Sequence, residues 1–158
     1  MAGKYDKYII HPPYMQIMAG DDGRIVFNGK MVHNKELGYP MTLGLQFITA
    51  PMVSDNPCHT HNFDEFLCWY GGNPKDPDDF GAEVILYMGE ELEKYVFTRP
   101  TIVYLPPDLP HCPLEIVNVR SPIIQVEIML TGPGGTRDVY FDKDKVGHKP
   151  VTFKIISE

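Results

Sequence analysis

Two histidines and a glutamate lie close together in the segment CHTHNFDEF at residues 58–66. One residue separates His59 from His61, and Glu65 follows after three more. In an extended strand alternate side chains point to the same face, so these two imidazoles would lie on one side with backbones about 7 Å apart. Both rings can then converge on one ion, and a turn or bulge before Glu65 would bring its carboxylate to the same point. The segment is therefore a candidate metal site.

A fourth ligand has to come from another part of the chain. His111 is the candidate, because it follows the proline-rich sequence PPDLP at 106–110 and begins a later strand. Three imidazole nitrogens and one carboxylate oxygen suit Fe(II), Mn(II), Ni(II) or Zn(II). In an octahedral ion these ligands would leave two positions for water, substrate or dioxygen.

The three cysteines suggest a rival zinc site, in which Cys58, Cys68 or Cys112 binds together with neighbouring histidines. Cys58 and Cys112 each adjoin a histidine, and strand alternation turns adjacent side chains to opposite faces. No two cysteines have the C-x₂₋₄-C spacing that is typical of structural zinc. Alternation also argues against Cys112 as a nucleophile activated by His111, because the base would lie on the other face. We therefore expect buried free thiols.

The elements that position these residues are predicted to be short strands. Stretches rich in β-branched and aromatic residues occur at 43–48, 83–88, 95–98, 101–105, 115–119 and 122–130, and 151–156 is predicted to form an outer strand. Turn sequences at 21–23, 71–74, 88–90 and 132–135 separate them. Asn28-Gly29 is a dipeptide typical of a two-residue hairpin turn, so a hairpin is predicted there. Helices are expected to be no longer than about two turns, with candidates near the N-terminus and at 138–145.

Composition narrows the class of protein. The 15 prolines and 14 glycines are spread along all 158 residues, which favours many short strands joined by turns, as in an all-β sandwich or barrel. The formal net charge of −7 argues against nucleic acid as a partner.

No apolar stretch approaches the ~20 residues that span a bilayer. The N-terminus lacks the apolar region of a signal peptide. An odd number of cysteines fits reduced thiols, so we expect a cytoplasmic protein. Residues 72–80 are expected to form a solvated loop rather than a calcium site.

Two motifs in the chain resemble those of the cupin superfamily. HxHxxxE at 59–65, followed by Gly71 or Gly72, is similar to the first cupin motif, and PxxxxH at 106–111 is similar to the second. The resemblance covers about residues 53–118. Positions where cupins usually have turn or packing residues are occupied by others, namely Val53, Pro100, Asp108 and Glu115.

The resemblance implies a single cupin domain over residues 1–158, an all-β double-stranded β-helix or jelly-roll barrel with one divalent metal ion in its mouth. By position, the implied ligands are His59, His61, Glu65 and His111. Fe(II) is the favoured ion, with Mn(II), Ni(II) and Zn(II) as alternatives. Cupins of this kind often pair edge strands into dimers, so the resemblance implies a homodimer, and the apolar strand at 122–130 is a candidate for the interface.

The expected function is that of a metalloenzyme acting on a small molecule. Fe(II)-dependent oxidation of the dioxygenase type is the first hypothesis, and a non-redox lyase, isomerase or decarboxylase is the alternative. A small-molecule-binding domain without turnover is a third. Glu65 and Tyr104 are predicted to act in catalysis. Tyr104 and three further residues are expected to supply polar groups to a pocket, namely Gln46, Gln125 and Glu127, whereas Trp69 is expected either to line the cavity or to pack in the core.

Overall fold

The structure is a computed structural model that describes residues 3–12, 14–20, 22–54, 58–131, 137–139 and 154–157. Within this part of the chain it is built almost entirely of strands. The strands are β1 Tyr14–Ala19, β2 Ile25–Val32, β3 Thr42–Ile48, β4 Met52–Val53, β5 His59–His61, β6 Asp64–Gly71, β7 Glu83–Met88, β8 Glu93–Phe97, β9 Thr101–Leu105, β10 His111–Val117, β11 Ile123–Leu130, β12 Arg137–Val139 and β13 Lys154–Ser157. The helical elements are a 3₁₀ turn at Asp6–Tyr8 and the helix α1 at Asn34–Leu37.

Two antiparallel sheets form the fold. The first has the strand order β13-β1-β2-β3-β11-β6-β9, and the second has the order β12-β5-β10-β7-β8, with β4 also paired to β10. Apolar side chains from both sheets meet in one core, whose most deeply buried members include Trp69, Phe80, Leu86, Leu105, Ile116 and Ile123. The all-β jelly-roll expectation is confirmed.

Strand β3 illustrates how the sequence forms the inner and outer faces. Thr42, Gly44, Gln46 and Ile48 are buried, whereas the three residues between them, Leu43, Leu45 and Phe47, are exposed. Because side chains alternate along a strand, the inner face of β3 is set by every second residue. It includes a glycine and a glutamine, which is an unusual pair for a core strand.

Most predicted strands and turns are confirmed. Gly89 (φ +81°) occupies the turn between β7 and β8, and Gly23 (φ +77°) occupies the turn between β1 and β2. Positive φ at these two positions explains why the turns contain glycine. Residues 72–80 lie in the connection between β6 and β7 and form no strand or helix.

The hairpin predicted at Asn28-Gly29 is wrong, because β2 runs straight through this dipeptide. Gly29 is paired with Gln46 on β3, and a Cβ atom on Gly29 would lie 2.7 Å from Cγ of Gln46. Glycine is therefore required here by side-chain packing, whereas the sequence signal resembled that of a turn.

Strand β11 corresponds to the apolar stretch at 122–130, and it lies inside the first sheet between β3 and β6. It has no open edge for strand pairing, so it could contribute to a dimer only through its outer face.

The helix candidate at 138–145 is wrong at its start, where Arg137–Val139 pair with β5 as a strand. Residues 140–145, the turn at 132–135 and the first part of the predicted strand at 151–156 lie outside the described residues; the rest of that strand is β13 at the sheet edge. Among the described residues, no helix is long and apolar enough to cross a membrane.

Candidate metal centre

Three strands bring the four predicted ligands together. His59 and His61 flank the half-buried Thr60 on β5 and are both buried, as expected for alternate residues facing inward. Glu65 lies near the start of β6, after a short bend at residues 62–63. His111 is the first residue of β10 and is paired directly with His59.

The side chains of these residues form one buried cluster. Nε2 of His61 lies 2.8 Å from Oε2 of Glu65, and Nε2 of His111 lies 3.3 Å from the same oxygen. The ring of His59 lies 4.3 Å from that of His111 and 6.1 Å from that of His61, measured between centroids. The four residues are between 1% and 5% exposed. Three of the predicted ligands, His61, Glu65 and His111, thus meet at one point, and His59 adjoins them through His111.

The backbone before β10 orients His111. Its Nδ1 lies 2.9 Å from the carbonyl oxygen of Leu109, so Nδ1 carries the proton and donates it to this bond. Nε2, the other ring nitrogen, faces Glu65 and is the atom that would bind a metal ion. The N–H of Asp108 donates to the carbonyl of His61 at 2.8 Å, which ties this loop to β5. Asp108 has a positive φ of +65°.

Glu65 is held in its charged form. Burial alone would raise the pKa of this carboxyl group, but the hydrogen bonds and positive charge of His111 and His61 outweigh burial and lower the pKa to about 2. An ionised carboxylate that contacts two imidazoles is part of a donor set suited to a divalent cation.

Metal-ligating atoms within the cluster fall into two groups that share His111. Those of His61, Glu65 and His111 all lie within 4.8 Å of one another, and so do those of His59, His111 and Cys112. The buried His/Glu cluster could therefore hold a metal ion, and imidazole with carboxylate suits Fe(II), Mn(II), Ni(II) or Zn(II) alike.

The expected orientation of Cys112 is wrong. Cys112 lines the same cavity as His111, although the two residues are adjacent in β10. The pairing of β10 with β7 shifts register between His111 and Leu114, and Cys112 has a φ of +76°, so alternation fails at this point. Cys58 follows the prediction, because it packs with Ile85 and Tyr87 away from the cavity. All three cysteines are buried, which agrees with the expectation of buried or half-buried thiols.

A cavity of about 300 Å³ opens over the cluster, and all four predicted ligands line it. A volume of this size is at the lower end for small-molecule sites. The remaining walls are mainly apolar, with a few polar residues; they are Met18, Phe27, Met31, Gln46, Ile48, Met52, Ser54, Phe63, Leu67, Cys112, Leu114, Gln125, Glu127 and Met129.

Tyr104 does not reach this cavity. It lies on the outer face of β9 with half of its surface exposed, and its hydroxyl donates to Oδ1 of Asp64 at 2.6 Å. The alternate residues Val103 and Leu105 occupy the inner face instead. The expectation that Tyr104 supplies a group to the cavity is therefore corrected, because the inner face of β9 could not be identified from the sequence.

The other expected pocket residues are divided between cavity and core. Gln46, Gln125 and Glu127 line the cavity. Trp69 is completely buried in the core, and its indole N–H donates to Oε1 of Gln125 at 2.7 Å. It supports the cavity wall without forming part of it.

Two features of the site were not predicted from the sequence. The ring of Phe63 stacks on His61, with centroids 4.1 Å apart and planes 4° apart. A bend residue between two strands gives no periodic signal that would predict this contact. Cys112 was missed because the period-two argument fails at a bulge; the flanking Pro110 and Pro113 were the only signals of an irregular strand.

No protein-family model and no curated protein sequence matches this chain. Solved structures do match. A cupin-like protein from Thermotoga maritima is 10% identical with a TM-score of 0.51, and the match covers 82% of this chain and 84% of that one.

Two further structures are each 12% identical, with TM-scores of 0.50. A sugar phosphate isomerase of the cupin superfamily from Silicibacter pomeroyi matches over 75% of this chain and 66% of its own. An oxalate decarboxylase from Bacillus subtilis matches over 80% of this chain and 29% of its own. This chain thus spans less than two thirds of either protein. Together with the two antiparallel sheets and the His/Glu cluster in the barrel, these likenesses establish that the chain has the cupin fold.

Proposed function

We propose that the protein is a metal-dependent enzyme that acts on a small organic molecule bound in the cavity. The observation that carries the proposal is that a buried cluster of three histidines and one ionised glutamate lies in the wall of a cavity large enough for such a molecule. A metal site with a purely structural role would have no need of an adjoining cavity.

A non-redox reaction of the lyase, isomerase or decarboxylase class is supported best, because the cavity contains a second carboxylate. Glu127 lines the cavity and is separate from the metal cluster, and its Oε2 accepts a hydrogen bond from Nε2 of Gln46 at 3.2 Å. A divalent ion held by the cluster would polarise a substrate carbonyl or carboxylate oxygen. Glu127 then takes a proton from the adjacent carbon: the C–H bond breaks, the proton moves to the carboxylate and the electron pair stays on the substrate.

The walls of the cavity also favour this class. Four methionines, Met18, Met31, Met52 and Met129, line it. Thioethers are readily oxidised to sulfoxides, so a centre that activates dioxygen would tend to oxidise the methionines in the cavity wall. Two proteins that share the fold are named as an isomerase and a decarboxylase, which are activities of the same broad class.

Fe(II)-dependent oxidation is the second candidate. Its support is the ligand set itself, since three neutral imidazoles and one carboxylate suit Fe(II) and leave two positions of an octahedral ion for substrate and dioxygen. Glu65 remains in both candidates as a ligand that offsets one of the two positive charges of the ion.

The experiment that tests the proposal begins with elemental analysis of protein purified without oxygen. Apo-protein is then loaded separately with Fe(II), Mn(II), Ni(II) or Zn(II), and small carbonyl, hydroxy-acid and phenolic compounds are screened with and without oxygen. Turnover that persists without oxygen and with Zn(II) is the expected result. Turnover that requires both Fe(II) and oxygen would select the oxidation instead, and failure to bind any of the four ions would refute both.

A further inference from the structure

Two buried glutamines lie side by side in the cavity wall, Gln46 on β3 and Gln125 on β11. They are directly opposite each other in the antiparallel pairing of these two strands. The carbonyl oxygen of Gln125 accepts the indole N–H of Trp69. Gln46 differs, because its Nε2 donates to Glu127 while its Oε1 has no hydrogen-bond partner among the described residues. A buried acceptor without a partner is uncommon and unfavourable, so this oxygen requires an explanation.

The direction of the Gln46 amide follows from its neighbour. Nε2 of Gln46 donates to Oε2 of Glu127, so the NH₂ group of the amide faces Glu127. The carbonyl oxygen is then directed elsewhere in the wall and can only accept. Both residues line the cavity, so the pair can offer it an amide oxygen and a carboxyl group as acceptors.

Two glycines leave the room that the Gln46 side chain fills. A Cβ atom on Gly44 would lie 2.7 Å from Nε2 of Gln46, and one on Gly29 would lie 2.7 Å from its Cγ. Gly44 is two residues earlier on the same face of β3, and Gly29 is the paired residue on β2. Neither has a positive φ. These glycines are therefore explained by the space that the glutamine needs.

We infer that Gln46 is a substrate-recognition residue, which accepts a hydrogen bond from a hydroxyl or ammonium group of the substrate. The inference rests on the proposed function, because it assumes a molecule bound between this wall and the metal cluster. The substrate class is a short molecule with a carboxylate or carbonyl oxygen for the metal at one end and a hydrogen-bond donor at the other. The carboxyl group of Glu127 beside the amide favours such a donor over an anionic group.

The test uses Zn(II)-loaded protein, which binds without redox turnover, and matched carboxylates that differ only at the far carbon. Butanoate, 4-hydroxybutanoate and 4-aminobutanoate form the central series, with the corresponding three- and five-carbon compounds to cover other spans. Calorimetric titration gives the Kd of each compound. We expect a donor-bearing member to bind about fivefold to tenfold more tightly than its unsubstituted partner, which is the effect of one hydrogen bond. The hydroxyl and amino compounds distinguish the two kinds of donor.

Gln46→Leu should abolish this preference and leave the Kd of the unsubstituted carboxylate within about twofold. It should also keep or raise the melting temperature, because it removes a buried acceptor that has no partner. Gly44→Ala keeps the amide but displaces it, so the preference should fall here too. Lys30→Ala, an exposed change on the neighbouring strand, is the matched control and should behave as the unaltered protein.

A preference that survives Gln46→Leu would overturn the inference, and so would equal binding of all compounds or binding of none by Zn(II)-loaded protein. The Zn(II) titration that comes first separates these results from failure of the proposed function. If the unaltered protein does not bind Zn(II) or another of the four ions, the proposed function falls and this inference falls with it.

Discussion

His59 and His111 face each other across the antiparallel pair of β5 and β10, with ring centroids 4.3 Å apart. The pairing of β5 with β10 therefore brings these two histidines into one cluster. Because His111 also approaches Glu65, its loss should affect the whole site.

His111→Ala should lower metal affinity by at least about 100-fold, since even the loss of a group that only orients a ligand costs about 10–100-fold. Metal content per chain, measured after dialysis against trace metal, is the readout, and circular dichroism checks that the β structure is retained. The exposed His11→Ala is the matched control. Full metal content in the His111 variant would mean that the site lies elsewhere.

Replacing Cys112 with serine should leave one ion per chain. The thiol lies beside His59 and His111, but Glu65 already contacts both His61 and His111, so the imidazole–carboxylate group is preorganised without sulfur. Co(II)-loaded protein provides the measurement, because a thiolate ligand gives an intense near-ultraviolet charge-transfer band. We expect no such band in the unaltered protein. A band that disappears in Cys112→Ser would make the cysteine a ligand and favour zinc.

The limits of sequence reasoning are clear from particular residues. The ligand cluster was predictable because His59 and His61 obey strand alternation, Glu65 is close to them in sequence, and a proline-rich approach marked His111. Tyr104 was misplaced because β9 has apolar residues on both faces, so its pattern does not tell which face is inward. Cys112 was misplaced by a bulge, and Asn28-Gly29 by a glycine that serves packing. Each error concerns a contact between strands that are distant in sequence.

Glu127→Gln should abolish turnover while metal binding is retained. The amide keeps the shape of the side chain but cannot take a proton, and loss of a general base costs about 10²–10⁴-fold in rate. Turnover of any substrate found in the screen, with metal content in parallel, is the measurement. A variant that loses its metal together with its activity would instead assign Glu127 to the metal site.

Tyr104→Phe should change the same turnover by less than about twofold. The hydroxyl bonds to Asp64 on the outer face, and exposed pairs of this kind contribute little. This substitution is the matched comparison for Glu127→Gln, because both alter a polar group near the barrel and only one of these groups faces the cavity. A loss of turnover of 100-fold or more in Tyr104→Phe, with metal and fold intact, would restore the tyrosine as a catalytic residue.

A homodimer is still a prediction, and the outer face of β3 and β11 is the surface to test. Leu43, Leu45 and Phe47 are exposed there and are paired with apolar residues of β11, so one side of the sheet presents a continuous apolar area. Such areas mark interfaces, and a second copy of the same chain can cover this one symmetrically.

We expect light scattering to give the mass of a dimer, and the double variant Leu45→Lys with Phe47→Lys to give a monomer that still binds metal. A charged residue in place of the exposed Tyr95, on the far edge strand β8, is the control and should leave the dimer unchanged. If the unaltered protein is a monomer at all concentrations, the prediction is wrong; if the double variant stays dimeric, another surface forms the interface.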